Sequence, residues 1–482
     1  MLYPIAMTGP AKQKSVQAPK GTRDLYPLEA ARRRFITETW RRAAIRHGFE
    51  EVDGPTFEAL ELYTVKSGEG IVSELFQAFS GKSPEEVEQV RGTGQAPFAL
   101  RPEFTPTLAR MYAAKASSLP KPTKWFSIGP FFRAERPQRG RLREFLQLNV
   151  DVIGTDVSEY AEGAEGSGKV AESKARMDAE CIGCCIGVME SFGLGPEEIR
   201  VRINSRHIMA DWMRDIGLPE VQFDDAFFLL DRIDKLDSTK LLHAARERGI
   251  KNDEFEAMLT DQRVLRLRVD SHWDIQIGDE FARYLAQEFE PMIKVLRDSG
   301  LSEWCDVDTS IVRGLAYYTG TVFEVVPEGE RALFGGGRYD NLIELFGGPR
   351  TPAVGFAMGD VVLTNLLQDK GLMPSDEELM ERAGERPDVF VFAAREELDG
   401  AAAGLIARLR RGGEDVGALH VRRSYKSTRN VGKLLKEAAG AHARFAVVVE
   451  SEGEAMVKDL DHGEQERVVV GEVGGWIRGR IV

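Results

Sequence analysis

Cysteine is scarce in this chain: the four present, Cys181, Cys184, Cys185 and Cys305, are too few and too clustered for the disulfide framework of a secreted protein. Three of them lie in "DAECIGCCIGVMESFG", where apolar residues recur at helical spacing, so they read as one buried helix face. No second Cys or His pair at finger spacing accompanies them, and no structural metal is expected. Long apolar runs are missing too. No segment approaches the roughly 18 to 20 uncharged residues that a membrane span needs, and the start lacks a signal-peptide core, so a cytoplasmic protein without membrane contact is expected. An excess of positive charge is likewise absent. The formal net charge of −13 excludes a nonspecific polyanion binder, leaving only local basic patches to meet phosphate. A phosphate loop is not there either: "GAEGSGK" runs into Val170 where a Ser or Thr would be needed, and no apolar strand precedes it.

What is present is a chain of 482 residues, 43% of them hydrophobic, enough for two or three cores. Residues 1–18 carry no periodicity and read as a disordered leader. Phe35, Ile36, Trp40 and Ala43 recur at helical spacing until Gly48, and a short strand in "GFEEVDGPTFE" ends at Gly54 and Pro55. Residues 160–175, small, polar and glycine-rich, read as a flexible loop. Residues 194–300 read as a mostly helical insertion, and 371–387, with "MPSDEELMERAGERPD", as a linker. From 388 to 482 apolar strands alternate with helices, as in a small α/β domain.

Three stretches bear on chemistry. In "EFLQLNVDVIG" alternate residues share a face, so Leu146, Leu148, Val150 and Val152 oppose Gln147, Asn149 and Asp151. That alternation fits both a solvent-facing sheet and a polar floor. Feeding into it is "RAERPQRGRLR", in which five of eleven residues are arginine. Arg133 closes one strand, and Arg141 and Arg143 open the next. Cations gathered at adjacent strand ends repel one another unless phosphate, or the nearby Glu135 and Glu144, lies between them. The third stretch, "IVRGLAYYTGTVFE", sets Arg313 ahead of Tyr317 and Tyr318, where core packing competes with a binding role for the tyrosines. A second arginine-rich stretch, "ARRRFITETWRRAAIR", fits a solvated helix face.

At this point the pattern resembles a family. "FFRAERPQRGRLREFLQLNVDVIG" is similar to motif 2 of class II aminoacyl-tRNA synthetases in its histidyl form. "VRGLAYYTGTVFE", "FGGGRYDNLI", "KGTRDLYP" and "LRPEFTPTLAR" resemble further segments of the histidyl-tRNA synthetases, in the same order. The resemblance runs from about Lys20 to the C-terminus. It implies an α+β fold: an antiparallel sheet core of six or seven strands with flanking helices and a helical insertion in a catalytic domain spanning 19–370, followed by an α/β anticodon-binding domain. It also implies a homodimer and ligation of L-histidine to tRNA(His) with ATP, magnesium entering with the nucleotide and no tightly bound cofactor. Carried over by position, Arg133 and Arg313 are the catalytic cations, and Arg133, Glu135, Arg141 and Arg313 meet ATP. Glu103, Phe104, Thr105, Gln147, Asp151, Tyr317, Tyr318 and Tyr339 hold histidine, with Glu103, Thr105 and Gln147 at its ammonium and Asp151 at an imidazole N–H. Gln138, Arg139, Arg422, Arg423, Lys426 and Arg429 are the tRNA contacts.

Two departures qualify the match. Ala316 stands where the family usually has Asp, and Asp360, Val361 and Val362 stand where it has a Glu-Arg pair whose arginine meets adenine and the distal phosphate. Catalytically weak regulatory subunits of histidine biosynthesis share the synthetase core, and they are the alternative function. A tRNA-binding protein without ligase activity is a third. Such subunits generally lack the C-terminal domain, whose basic residues here include Lys433 and Lys436.

Overall fold

The structure is a computed structural model that describes residues 16–67, 72, 74–156, 168–233, 236–260, 266–269, 280–311, 317–327, 331–413 and 417–481. It divides into two compact units. One runs to Asp24 and resumes over Ile36–Met373; the other comprises Leu25–Phe35 and Pro374–Val482.

Twelve strands build the larger unit: β1 (Glu50–Glu51), β2 (Phe57–Ala59), β3 (Gln77–Ala78), β4 (Phe98–Leu100), β5 (Thr123–Phe132), β6 (Glu144–Ile153), β7 (Val201–Ser205), β8 (Arg266–Arg268), β9 (Cys305–Asp308), β10 (Thr321–Val325), β11 (Phe334–Arg338) and β12 (Ala353–Gly359). Nine of them form one sheet in the order β1-β5-β6-β12-β11-β10-β7-β9-β8. Its centre, from β5 to β7, is six strands paired antiparallel throughout. Parallel strands β1 and β9 extend it at the two sides. A separate three-stranded sheet, β2-β4-β3, carries the edge-on aromatic pair Phe57 and Phe98, ring centroids 5.6 Å apart, both exposed.

Helix Gly168–Ser191 buries Cys181, Cys184 and Cys185 together with Ile182, Ile186 and Val188. Desolvation raises all three thiols and that of Cys305, which keeps them protonated and inert. A second apolar cluster, from Met209 to Leu259, gathers the helices between β7 and β8.

The sequence boundaries need three corrections. The loop expected over 160–175 is helix from Gly168 onward, with Val170 and Ala175 buried, because helix-forming Ala, Glu and Lys extend the apolar stripe backward. Residues 157–167 lie outside the described residues. The helical insertion expected over 194–300 contains β7, a strand of the main sheet, so the helices begin only at Arg206. The linker expected over 371–387 contains helix Asp376–Arg382, started by a full capping box in which Ser375 and Glu378 exchange hydrogen bonds. Inside the smaller unit, Arg32 pairs with Asp376 at 2.6 Å and Arg382 stacks on Phe35, so part of the "ARRRFITETWRRAAIR" stretch is ion-paired. The expected leader lies outside the described residues up to residue 15.

The smaller unit continues with β13 (Val389–Ala393), β14 (Val421–Arg423), β15 (Phe445–Val449), β16 (Glu454–Asp459) and β17 (Gln465–Val469), ordered β14-β13-β15-β16-β17. The first three pair parallel, and β13 and β15 are buried on both faces, which explains unbroken apolar runs such as "VFVFA". The last two pair antiparallel.

Candidate functional site

The polar face of β6 is the floor of a cavity of about 750 Å³, not a solvent face. Gln147, Asn149 and Asp151 are only 6%, 2% and 3% exposed, while Leu148, Val150 and Val152 are buried on the opposite side of the strand. Gln147 Oε1 and Asn149 Nδ2 are buried without a hydrogen-bond partner. Buried polar groups are almost always satisfied, so two orphans on one cavity floor mark a place for a polar ligand.

Glycine makes room for that floor. A Cβ on Gly355 of β12 would lie 1.9 Å from Asp151 Oδ1, its register partner, and one on Gly337 of β11 would lie 2.7 Å from the Tyr318 ring. Tyr339 donates its hydroxyl to Asp151 Oδ1 at 2.5 Å. Burial pushes the Asp151 carboxyl up to about 7, with the Tyr339 hydrogen bond pulling the other way. Tyr317, Tyr318 and Tyr339 converge, with ring centroids 4.8 Å apart for the first pair and 6.2 Å for Tyr317 and Tyr339. Tyr318 and Tyr339 pack in an apolar cluster and also line the cavity, so both readings of these rings hold at once. Tyr317 donates to Glu103 Oε2 at 3.1 Å, and burial followed by the Glu103 charge raises its hydroxyl well above the ordinary tyrosine value.

Glu103, on a loop anchored by Arg101, and Thr105, the first residue of helix Thr105–Ala113, both reach the cavity. The Arg101 guanidinium is buried, donates to Pro130 O at 2.9 Å and Gly54 O at 3.0 Å, and lies over the Phe131 ring at 4.7 Å. Phe104, grouped by resemblance with the histidine contacts, points elsewhere. It is fully buried, edge-on to Phe131, and does not line the cavity, because the residue between Glu103 and Thr105 faces the core. Asp151 is reached through Tyr339 and is not itself on the cavity wall.

The arginine-rich segment is a hairpin joining β5 to β6. Arg133 N donates to Arg143 O, and Gln138 and Arg141 bridge near the tip. Arg133 lines the cavity, donates Nε to Pro102 O at 3.2 Å and stacks over Phe145 at 5.2 Å. Arg141 lines it as well but is ion-paired with Glu135, which stays off the wall. Arg139 pairs with Asp369 at 2.9 Å, outside the cavity. Arg313 and Ala316 lie outside the described residues. Asp360 is buried, accepting from Arg23 Nη2 at 2.7 Å and from Leu146 N at 2.9 Å. It fastens the "KGTRD" segment to the start of β6. Val361 and Val362 form part of the cavity wall.

Sequence reasoning missed Arg202, Glu324 and Arg331, which also line the cavity. Arg202 and Glu324 face each other in register on β7 and β10. The alternation in "VRINS" and "TVFEV" was the available signal, hidden by reading the first as helical.

In the smaller unit, Lys426 pairs with Glu437 at 3.5 Å, Arg429 with Asp399 at 2.6 Å, and Arg422 donates to Glu385 O at 3.4 Å. Tyr425 is 87% exposed with the Arg423 guanidinium 5.4 Å from its ring centroid. A cation stacked on a bare ring is a surface on which a nucleic-acid base can stack.

Comparison with known proteins follows the same lines. The profile of a family described as "Histidyl-tRNA synthetase" matches residues 21–361. The chain is 35% identical over 459 residues to a histidine–tRNA ligase of Haloarcula marismortui, covering 93% of this chain and 94% of that one. It is 32% identical over 469 residues to the chloroplastic/mitochondrial histidine–tRNA ligase of Arabidopsis thaliana, covering 96% and 87%. The crystal structure of histidyl-tRNA synthetase from Nostoc sp. PCC 7120 superposes with a TM-score of 0.71 at 22% identity, over 97% of this chain and 100% of that one.

Proposed function

The chain belongs to the histidyl-tRNA synthetase family, and from that premise we propose that it ligates L-histidine to tRNA(His) with ATP in two steps. The histidine carboxylate attacks the α-phosphorus of MgATP, giving histidyl-adenylate and pyrophosphate. A ribose hydroxyl of the terminal adenosine of the tRNA then takes the histidyl group and AMP leaves. No protein nucleophile is required, and catalysis is positioning together with neutralisation of developing charge.

The observation that carries this reading is the pair of orphaned amides, Gln147 and Asn149, on a floor that also holds the Asp151–Tyr339 hydrogen bond and opens toward Arg133. Gln147 Oε1, Glu103 and Thr105 hold the substrate ammonium, an all-acceptor set suited to a cation. Tyr339 and Asp151 orient the imidazole, with Tyr317 and Tyr318 as its walls. A site that hydrogen-bonds imidazole rejects apolar amino acids, because its buried groups would be left unpaired. Arg133 takes the α-phosphate, and Arg313 faces it from the other side. Arg141, held by Glu135, and Gln138 and Arg139 meet the nucleotide tail and the acceptor end.

Residues 388–482, within the smaller unit, bind the anticodon arm through Arg422, Arg423, Lys426 and Arg429. Their presence weighs against the regulatory-subunit reading, as does the length over which the named ligases match. Two copies pair as a homodimer, supported by family membership and by the exposed Phe57–Phe98 pair. Among the described residues no helix is long and apolar enough to cross a membrane, and the location proposed with this activity is the cytoplasm. The test is histidine-dependent exchange of pyrophosphate into ATP, followed by charging of tRNA(His). Well-folded protein without exchange would sink the ligase reading.

A further inference from the structure

Four arginines among the described residues line the cavity: Arg133, Arg141, Arg202 and Arg331. They differ in what already neutralises them. Arg141 is held by Glu135. Arg202 lies 3.8 Å from the buried carboxylate of Asp308 and faces Glu324 in register. Arg133 donates to a carbonyl and is stacked on a ring, with no carboxylate partner among the described residues. Arg331 is only partly exposed, and among the described residues neither a carboxylate nor a carbonyl accepts from it. A guanidinium withdrawn from water without a counter-ion is costly, and an anion that fills the cavity relieves that cost.

The position of Arg331 is fixed by its stem. Gly140, at the hairpin tip with φ +73°, sits so close that an added Cβ would meet Arg331 Cδ at 3.4 Å and Val362 Cγ2 at 3.2 Å. The hairpin that carries Arg133 and Arg141 therefore packs on the Arg331 stem, beside the apolar wall made by Val361 and Val362. On that wall the described residues offer no cation from the start of helix Asp360–Asp369, whose acidic residue is turned away toward Arg23 and Leu146. Arg331 brings a charge to the same wall from a different strand connection.

We propose that Arg331 is a phosphate-binding cation of this site, meeting the nucleoside triphosphate on the side lined by Val361 and Val362 while Arg133 meets it at the reacting phosphate. The proposal rests on the ligase reading and deepens it. Its residue comes from the segment joining β10 to β11, which the sequence motifs did not single out.

The experiment compares wild type, Arg331→Ala and Arg331→Lys by steady-state pyrophosphate exchange, with binding of inorganic pyrophosphate measured separately by calorimetry. Removing one charge-assisted contact should raise KM for ATP about 10- to 100-fold and weaken pyrophosphate binding in parallel, with lysine recovering part of the loss. KM for histidine should stay at wild-type values in both variants, and the melting temperature should stay there in Arg331→Lys, which keeps the stem under the hairpin. Wild-type KM for ATP and pyrophosphate affinity in Arg331→Ala would overturn the proposal. So would equal losses for ATP and histidine with a lowered melting temperature in both variants, which would mark a structural role in propping the hairpin. If wild type itself shows no exchange, the ligase reading fails. Pyrophosphate calorimetry then still decides whether Arg331 binds phosphate.

Discussion

Replacing Asp151 by Asn tests the floor of the site through stability as well as activity. The carboxyl is raised from 3.8 to about 7 by burial, against the pull of the Tyr339 hydrogen bond. Below about pH 4 folded and unfolded chains both carry the proton, and the buried acid costs nothing. Between about pH 4 and 7 the unfolded chain has released its proton while the folded one keeps it, so folding stability falls as pH rises. Above pH 7 the whole cost is present. At about 1.4 kcal/mol per unit, a rise of about three units amounts to roughly 4 kcal/mol. Asparagine keeps the shape and still accepts from the Tyr339 hydroxyl but does not titrate. The variant should match wild type near pH 4 and exceed it by up to about 4 kcal/mol at pH 8, roughly 5 °C in melting temperature for a unit of this size. The assay is thermal and urea unfolding of both proteins at pH 4.5, 6 and 8, alongside exchange kinetics. A stability difference that is constant across pH, or that shrinks as pH rises, would refute the argument. In activity the same variant should raise KM for histidine about tenfold or more while leaving KM for ATP near wild type, since it changes the acceptor that holds the Tyr339 hydroxyl at the proposed histidine pocket.

Three further outcomes are expected. Gly355→Ala should lower stability by about 2 to 4 kcal/mol and abolish histidine-dependent exchange, because the new methyl would stand 1.9 Å from Asp151 Oδ1; circular-dichroism melts and exchange rates measure both. Asp360→Ala should cost about 1 to 3 kcal/mol, since it removes the acceptor of the Leu146 amide and of the one-third-exposed Arg23 side chain; Asp360→Asn, which keeps an acceptor for the amide, should lose less. Tyr425→Ala should lower kcat/KM for tRNA about 5- to 100-fold with pyrophosphate exchange untouched, the loss of one stacked base; equal effects on both reactions would remove Tyr425 from the tRNA surface.

The faces of β6 were legible because that strand obeys period two, and the hairpin between β5 and β6 announces itself by its arginines, whereas the sheet as a whole was expected only from the family resemblance. Alternation alone divides β6 residue by residue into an apolar and a polar face, and Gln147 and Asn149 stand on the cavity side of it. What alternation could not say was whether that face met water, since the residues that enclose it, Glu103, Tyr318 and Phe356 among them, come from distant segments of the chain. Short strands failed for a related reason. "VRINS" has five residues and sits among helices, so only its pairing with β10 and β9 makes it a strand. The helix over 376–382 was legible in principle from Ser375 and Glu378, but the polar composition around it outweighed the capping signal. Arg331 lay beyond reach altogether, because its neighbour is a glycine near residue 140 and nothing local marks it.

Counter-ions sort the charged residues of this molecule more sharply than their positions in sequence do. Arg338 is buried between Asp178 at 2.6 Å and Asp340 at 3.0 Å, with Lys174 and Thr321 completing the network. It lies within a motif shared with the family, yet both of its Nη groups are answered by the protein and only its buried Nε is not, so it holds the helix Gly168–Ser191 against β11. Asp360 is in the same position with respect to Arg23. The polar groups left unanswered among the described cavity residues are of two kinds: orphaned amides at Gln147 and Asn149, and guanidinium groups without carboxylates at Arg133 and Arg331. A zwitterion carrying an imidazole needs the first kind, and a triphosphate needs the second. The two sets share one cavity, which is what transfer of a carboxylate onto phosphorus requires: both reactants held together, with the negative charge of the transition state developing beside cations that the fold has left unspent.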